Sequence, residues 1–313
     1  MTIATDRPAT LTDMIGQTET IARLTIAIGG AQARGVKPPH VLLSGPAGTG
    51  KTTLAQIVAD MTGTTLHALH AQTLSKKGDL ASVLCAISPG DVVFIDEIHA
   101  LPMSVAECLY QALEDGCLSI IVGSGPSANA ITLQLPPMVM VGATTRPGAL
   151  PTPLRDRFGV HLNMQTYTDE ELAEIAGRRW RLAGLTYTPA AAMVVGSRAK
   201  GVPRLALALA DRVMDCAALA GVPLDDVTAT RAMDAFGVGE GGIDEVDYRI
   251  LVALVETFGG APTGLDALGA ALDLDAKTIQ AEHEPALTRA GLIMRTSSGR
   301  VATPKAHAMV RAA

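Results

Sequence analysis

Aromatic side chains are scarce in this sequence: one Trp, four Tyr and four Phe among 313 residues, 3% in all. With 48% hydrophobic residues, the core must be built from Ala, Leu, Val, Ile and Met. Cysteine is also scarce. Cys85, Cys108, Cys117 and Cys216 show no C-x-x-C spacing, and three of them fall in apolar or helical patterns, so buried reduced thiols are expected. No uncharged apolar run reaches 18 residues, so no membrane-spanning helix is expected. The polar start, with Asp6 and Arg7, lacks the apolar stretch of a secretory signal, and a soluble cytoplasmic protein is the expectation. Positive charge is in deficit as well. Lys and Arg number 25 against 31 Asp and Glu, a net charge of −6. Bulk attraction to nucleic acid is thereby excluded, and any such contact must come from a local basic patch.

What is present is chemically specific. The length suits two or three domains. Val41-Leu42-Leu43-Ser44 reads as a buried strand, and Gly45-Pro-Ala-Gly48-Thr-Gly50-Lys51-Thr52-Thr53 follows it. This is the Walker A pattern at the start of a helix. Gly45, Gly48 and Gly50 let the backbone curl so that its N–H groups face phosphate oxygens, which the helix dipole also favours. Lys51 can reach the β- and γ-phosphates, and the Thr52 hydroxyl can ligate Mg²⁺. Downstream, Val92-Val-Phe-Ile95 ends in Asp96-Glu97. A strand apolar on both faces belongs inside a parallel sheet, and its C-terminal end lies at the ligand-binding edge. Asp96 is placed to hold Mg²⁺ and Glu97 to activate water. Such an acid pair alone is often a loop start or a helix cap; the upstream P-loop gives it a nucleotide to act on. Val139 to Thr145 is another buried strand, whose Thr145 lands on the same edge as a γ-phosphate sensor or, more plainly, as a cap.

The organisation falls into three parts: an α/β P-loop domain over 1–166, a small all-helical domain over 167–238, and a third domain over 239–313. In the first, Ser119–Gly123 and Ala130–Leu135 read as a protruding hairpin over 119–134. Helices are expected from about Thr18, Thr52, Gly78 and Ser104. The second part opens with the capping box Thr168-x-x-Glu171, continues at Thr188-Pro189 and Pro203, and ends with a helix begun at Asp225 and closed by Gly237. Gly237 to Gly242 reads as a linker. Three helices, over Asp244–Phe258, Leu265–Leu272 and Lys277–Arg289, then precede two short strands carrying Arg295 and Arg300, a winged-helix pattern. The turn between those strands is expected to bring both guanidinium groups to one tip that contacts phosphates.

Together these residues resemble the RuvB family of AAA+ ATPases, bacterial motors of Holliday-junction branch migration. The matching stretches include Arg7-Pro8, Ile15-Gly16-Gln17, Phe94-Ile-Asp-Glu-Ile-His99, Gly125-Pro-Ser-Ala128, Gly142-Ala-Thr-Thr-Arg146, Pro153-Leu-Arg-Asp-Arg-Phe-Gly159 and Gly201-x-Pro-Arg204. The resemblance implies an AAA+ large domain, a helical lid and a winged-helix head. It implies ATP or ADP as ligand and a hexameric ring that hydrolyses ATP. Its implied partners are duplex DNA at a Holliday junction and a RuvA-type protein docked on the 119–134 hairpin. It also implies residue roles. Arg7, Ile15 and Tyr167 contact adenosine, and Glu114 and Asp115 lie in a nucleotide-contacting segment. Thr145 is sensor 1, Arg204 sensor 2, Arg157 an arginine finger acting on a neighbour's ATP, and Arg295 and Arg300 contact DNA. The chain departs from the family pattern at Ala47, Thr49, Ala100, Gly116 and Ser298, which bears on partner and DNA affinity more than on hydrolysis. Two other readings compete: a clamp-loader-like switch placing a protein on DNA, against which the missing four-cysteine module and the winged-helix tail argue, and a non-hydrolysing regulatory module, against which Glu97 and Arg157 argue.

Overall fold

In the computed structural model, which describes residues 7–122 and 129–312, short aliphatic runs build the central sheet of the N-terminal unit. The strands of that unit are β1 (Val41–Ser44), β2 (Leu66–His70), β3 (Val92–Asp96), the pair β4 (Cys117–Val122) and β5 (Asn129–Gln134), β6 (Val139–Thr144) and β7 (Val160–Asn163). Five of them form one parallel sheet in the order β2-β3-β6-β1-β7. The middle strands β3 and β6 are buried along nearly their whole length because helices cover both faces. Leu24, Ile28, Leu54, Ile57 and Phe94 fill one face, and Leu80, Leu84, Ile95, Leu109, Met140 and Phe158 the other.

Strand β2 was not foreseen. Its sequence, Leu-His-Ala-Leu-His, has no continuous apolar run, and it lies half-exposed at the sheet edge. Asp91 anchors its approach by accepting from Thr65 N (3.2 Å) and Ser88 N (2.9 Å) and pairing with His67 Nε2 (2.7 Å). Strands β4 and β5 pair antiparallel from Cys117↔Gln134 to Val122↔Asn129. The motif at Gly125–Ala128 lies outside the described residues. Of the cysteines, only Cys108 is buried; Cys117 and Cys216 are half-buried and Cys85 is exposed, all as free thiols. The patterns around them do not set the rotational position of each residue on its element.

Two compact units divide the chain: Met1–Tyr167 with Val202–Arg204, and Thr168–Gly201 with Leu205–Ala313. In the second, helices span Asp169–Leu182, Pro189–Arg198, Pro203–Ala220 and Asp226–Ala235. Local chemistry sets their starts: Glu171 N donates to Thr168 Oγ1, Ala191 N to Thr188 Oγ1 and Thr228 N to Asp225 Oδ1. Trp180, fully buried, donates Nε1–H to Ala210 O at 3.0 Å.

Further along, helices cover Glu245–Val252, Leu265–Leu272 and Glu284–Arg289, the first and last joined to wider π turns at Ala253–Thr257 and Ile279–His283. Strands β8 (Ile293–Thr296) and β9 (Gly299–Ala302) form the wing, and a final helix, Pro304–Ala312, not foreseen, closes the core. The expected linker is packed closely against the preceding helices. Gly242, at φ +77°, lies so near Arg198 that a Cβ there would meet its carbonyl at 2.3 Å. Arg198 Nη1 donates to Val238 O (3.2 Å), and Lys200 Nζ lies 2.7 Å from Asp244 and 2.5 Å from the fully buried Asp247. Asp247 also pairs with His283 Nδ1 at 2.7 Å. A glycine-rich composition signals backbone freedom, which here serves tight turns rather than a free tether. Among the described residues no helix is long and apolar enough to cross a membrane.

Candidate functional site: a P-loop and the sheet edge beside it

Parallel register brings the chemistry together. Ser44 pairs with Thr144 and Ile95 with Gly142, so β1, β3 and β6 end at one edge. From β1 the chain enters the loop Gly45–Gly50, where Gly45, Gly48 and Gly50 take φ of +140°, +75° and +101°. Side chains are excluded there on two grounds. The backbone is left-handed, and a Cβ on Gly45 would lie 2.5 Å from Met164 O, one on Gly48 2.7 Å from Val202 Cγ1. The helix Lys51–Thr62 starts at once, with Thr52 and Thr53 half-buried in its first turn. Thr49, one of the departures, is fully buried and donates Oγ1–H to Pro46 O at 2.9 Å, so its hydroxyl is absorbed by the loop itself.

Lys51 is buried, and its Nζ donates to Gly45 O (2.9 Å) and Pro46 O (2.8 Å), which curls it into the cradle. Burial lowers its pKa; Glu97 and Asp96 oppose that shift and Arg204 adds to it. These charges therefore share one small space. Arg204 N donates to Gly48 O at 3.4 Å. Tyr167, buried, donates its hydroxyl to Thr49 O at 3.2 Å. Gln17 clamps the lead-in by donating to Gln165 O (2.7 Å) and accepting from Gln165 N (3.0 Å); Ile15, two residues earlier, is half-buried. Arg7 is exposed, and no described contact ties it to the loop.

Opposite the cradle, Asp96 Oδ1 accepts from Glu97 N at 3.0 Å. Glu97 itself has φ +50°, an uncommon backbone state for a side-chain-bearing residue. Its Oε2 accepts from Thr145 Oγ1 (3.0 Å) and Thr145 N (3.3 Å) and lies 3.1 Å from His99 Nδ1. His99 Nε2 accepts from Arg146 Nε at 3.0 Å, which leaves the proton of the neutral ring on Nδ1, facing Glu97 and Thr144. Burial lowers the His99 pKa, Glu97 opposes this, and Arg146 reinforces it. His99 and Arg146 are visible in the sequence only as parts of motifs; the contacts of His99 with Thr144 and Arg146 cross from the end of β3 to the end of β6 and leave no local pattern.

The cradle fits a nucleotide. Its left-handed glycines exclude Cβ atoms, its lysine is already desolvated, and Thr52 and Asp96 supply the hard oxygen donors that Mg²⁺ prefers. Arg157 stands apart from this group. It follows the short helix Thr152–Arg155 and donates Nη2–H to Glu114 Oε2 at 2.5 Å, while its buried Nε has no partner among the described residues. Glu114 and Asp115 are exposed at the end of the helix Met103–Asp115.

In the wing, Arg295 and Arg300 are direct cross-strand partners. Their guanidinium groups do not gather at the turn. Both reach to Glu284, buried on the preceding helix. The turn Thr296–Gly299 fixes the strands, but a buried carboxylate with no other partner among the described residues takes the cations.

The profile of the RuvB P-loop domain, described as that of a Holliday junction DNA helicase, matches residues 6–164; the RuvB AAA lid profile matches 167–239 and the RuvB C-terminal winged-helix profile 240–311. The chain belongs to the RuvB family. It is 43% identical over 302 residues to the Holliday junction branch migration complex subunit RuvB of Kosmotoga olearia, covering 96% of this chain and 88% of that one. The RuvB of Corynebacterium aurimucosum is 44% identical over 301 residues, 96% of this chain and 83% of that one. Among solved structures, the Thermotoga maritima RuvB Holliday junction branch migration motor superposes with a TM-score of 0.88 at 38% identity, covering 98% of each chain. The architecture is accordingly that of RuvB: an AAA+ P-loop domain, an AAA lid and a winged helix.

Proposed function

We propose that the chain is the ATP-hydrolysing subunit of a ring motor that drives branch migration of Holliday junctions in recombination and repair, working in the cytoplasm with a RuvA-type partner. Residues 1–166 bind and hydrolyse ATP, 167–238 sense the nucleotide, and 239–313 meet duplex DNA. The observation that carries this is Glu97, held by Thr145 at the sheet edge that also bears Asp96 and faces the desolvated Lys51.

The reaction is in-line attack of water on the γ-phosphate. Glu97 takes the proton of the attacking water, and Thr145 fixes the carboxylate that does so. Lys51 and Arg204 neutralise the charge that spreads over the phosphoryl oxygens. Thr52 and Asp96 would hold Mg²⁺, which supplies further charge neutralisation. The P-loop backbone cradles the phosphates, while Arg7, Ile15 and Tyr167 hold the adenosine. Arg157 is engaged with Glu114 rather than with this chain's own P-loop. That separation suits a finger that, with Glu114 and Asp115, completes the site of a neighbouring copy in a hexamer. Such a contact is head-to-tail and closes into a ring. The β4–β5 hairpin would dock the junction-binding partner, and Arg295 with Arg300 would touch the duplex backbone.

The test is Glu97→Gln. It should bind ATP at wild-type affinity yet fail both to turn it over and to move a four-way junction. Undiminished steady-state hydrolysis would sink the assignment.

A further inference from the structure

Glu284 is an unusual acid. Its side chain is 1% exposed, at the start of the helix Glu284–Arg289, and its described partners are two arginines of the wing. Arg300 grips it at two points, Nε on Oε1 and Nη2 on Oε2, both at 3.0 Å. Arg295 donates Nε–H to Oε1. Isolating a carboxylate from water carries a heavy desolvation cost unless hydrogen-bonded counter-charges surround it, so this pairing is not incidental. The Arg300 backbone is held too: Thr263 N donates to Arg300 O (2.9 Å) and Arg300 N to Thr263 O (2.8 Å).

The grip has a direction. Both arginines spend their Nε edge on Glu284. The described hydrogen bonds leave Nη1 of Arg300 and both Nη atoms of Arg295 without a protein partner. Arg295 is 54% exposed at its side chain and Arg300 17%. A guanidinium held by one edge presents the opposite N–H groups in a fixed plane, the geometry that matches phosphate oxygens.

We propose that Glu284 is a positioning residue for the duplex contact, orienting Arg295 and Arg300 so that their free edges meet backbone phosphates. This rests on the reading that those two arginines touch DNA. Without the carboxylate, each long side chain would have to be immobilised on binding, at an entropic cost that a held arginine avoids.

The test sets charge against orientation. Replacing Glu284 with Gln removes a negative charge beside the DNA contact. If the carboxylate only neutralised the wing, duplex binding would tighten and the dependence of log K on log salt would steepen. If it positions the arginines, binding to unrelated duplexes should weaken about tenfold despite the gained charge. In the Arg295→Ala, Arg300→Ala background, Glu284→Gln should then cost no more affinity, since it acts through those residues. Equal or tighter binding by Glu284→Gln, or an undiminished loss in the arginine-free background, overturns the proposal. Should thermal unfolding show that Glu284→Gln disrupts the wing, Arg300→Lys decides instead. It keeps the charge but cannot make the two-point grip, and it should weaken binding while an unchanged affinity refutes the role of orientation. The underlying reading has its own check. If Arg295→Ala with Arg300→Ala keeps wild-type affinity and salt slope, rather than losing about 2 from the slope, the arginines do not touch DNA, whatever Glu284 does.

Discussion

His40 shows how one residue can carry a pH dependence. It is buried at the entry to β1, and its Nδ1 accepts the Met140 N–H at 2.9 Å, so that nitrogen must be unprotonated. Burial, reinforced by Lys37, lowers its pKa from 6.5 to about 4. The unfolded chain thus takes up the proton first. The contribution to stability is whole above pH 6.5 and is lost as pH falls toward 4, and the span corresponds to roughly 3 kcal/mol. Thermal unfolding between pH 7 and 4 should therefore show a steeper fall for the wild type than for His40→Asn, whose side-chain oxygen can still accept from Met140. Parallel curves would refute the assignment. At this scale the sequence was most legible in placement: motif and strand position put Lys51, Asp96, Glu97 and Thr145 at one sheet edge, where the structure also has them. It was least legible where meaning comes from a partner distant in sequence. Nothing local links His99 to Arg146, which sets its tautomer, or Glu284 to two arginines on the strands that follow it.

Among the elements, those with strong periodicity or caps were readable to within a few residues. Thr168, Thr188 and Asp225 announced three helix starts, and the aliphatic runs of β1, β3 and β6 announced a buried parallel sheet. The edge strand β2 was hidden because an edge needs no apolar face, only a ladder and the Asp91 anchor. The linker at Gly237–Gly242 falls where the lid and winged-helix profiles meet, but its packing left no trace in the sequence: glycine marks flexible tethers and tight packed turns alike, and Arg198, Lys200 and Asp247, which hold it, lie outside the stretch. That joint makes a prediction of its own. Asp247 is fully buried and faces both Lys200 and His283. Asp247→Ala leaves a buried ammonium with Asp244 alone and should cost about 3 kcal/mol of the C-terminal unit's stability. Replacing Lys200 with Met in the same chain should restore much of it, because the stranded charge goes too. A melting temperature unmoved by Asp247→Ala would show that the network carries no load.

In the proposed motor, each nucleotide site is a joint product of two copies. Within one chain the cradle gathers Lys51, Asp96, Glu97, Thr145 and Arg204, but Arg157 spends its guanidinium on Glu114. A net charge of −6 further requires that DNA be met by a local surface rather than by the molecule at large. The proposed ring has no signal in the sequence beyond the family resemblance, because assembly depends on surfaces that no motif encodes. The most direct test is to mix Arg157→Ala with Lys51→Ala subunits and measure ATP hydrolysis. Each variant alone should be nearly inactive, the finger being worth on the order of 10³-fold in rate. In mixed rings, a Lys51→Ala subunit can lend its intact Arg157 to an intact P-loop next door, so activity should return at a fraction of the wild-type rate. No recovery in rings shown to contain both variants would contradict the shared site.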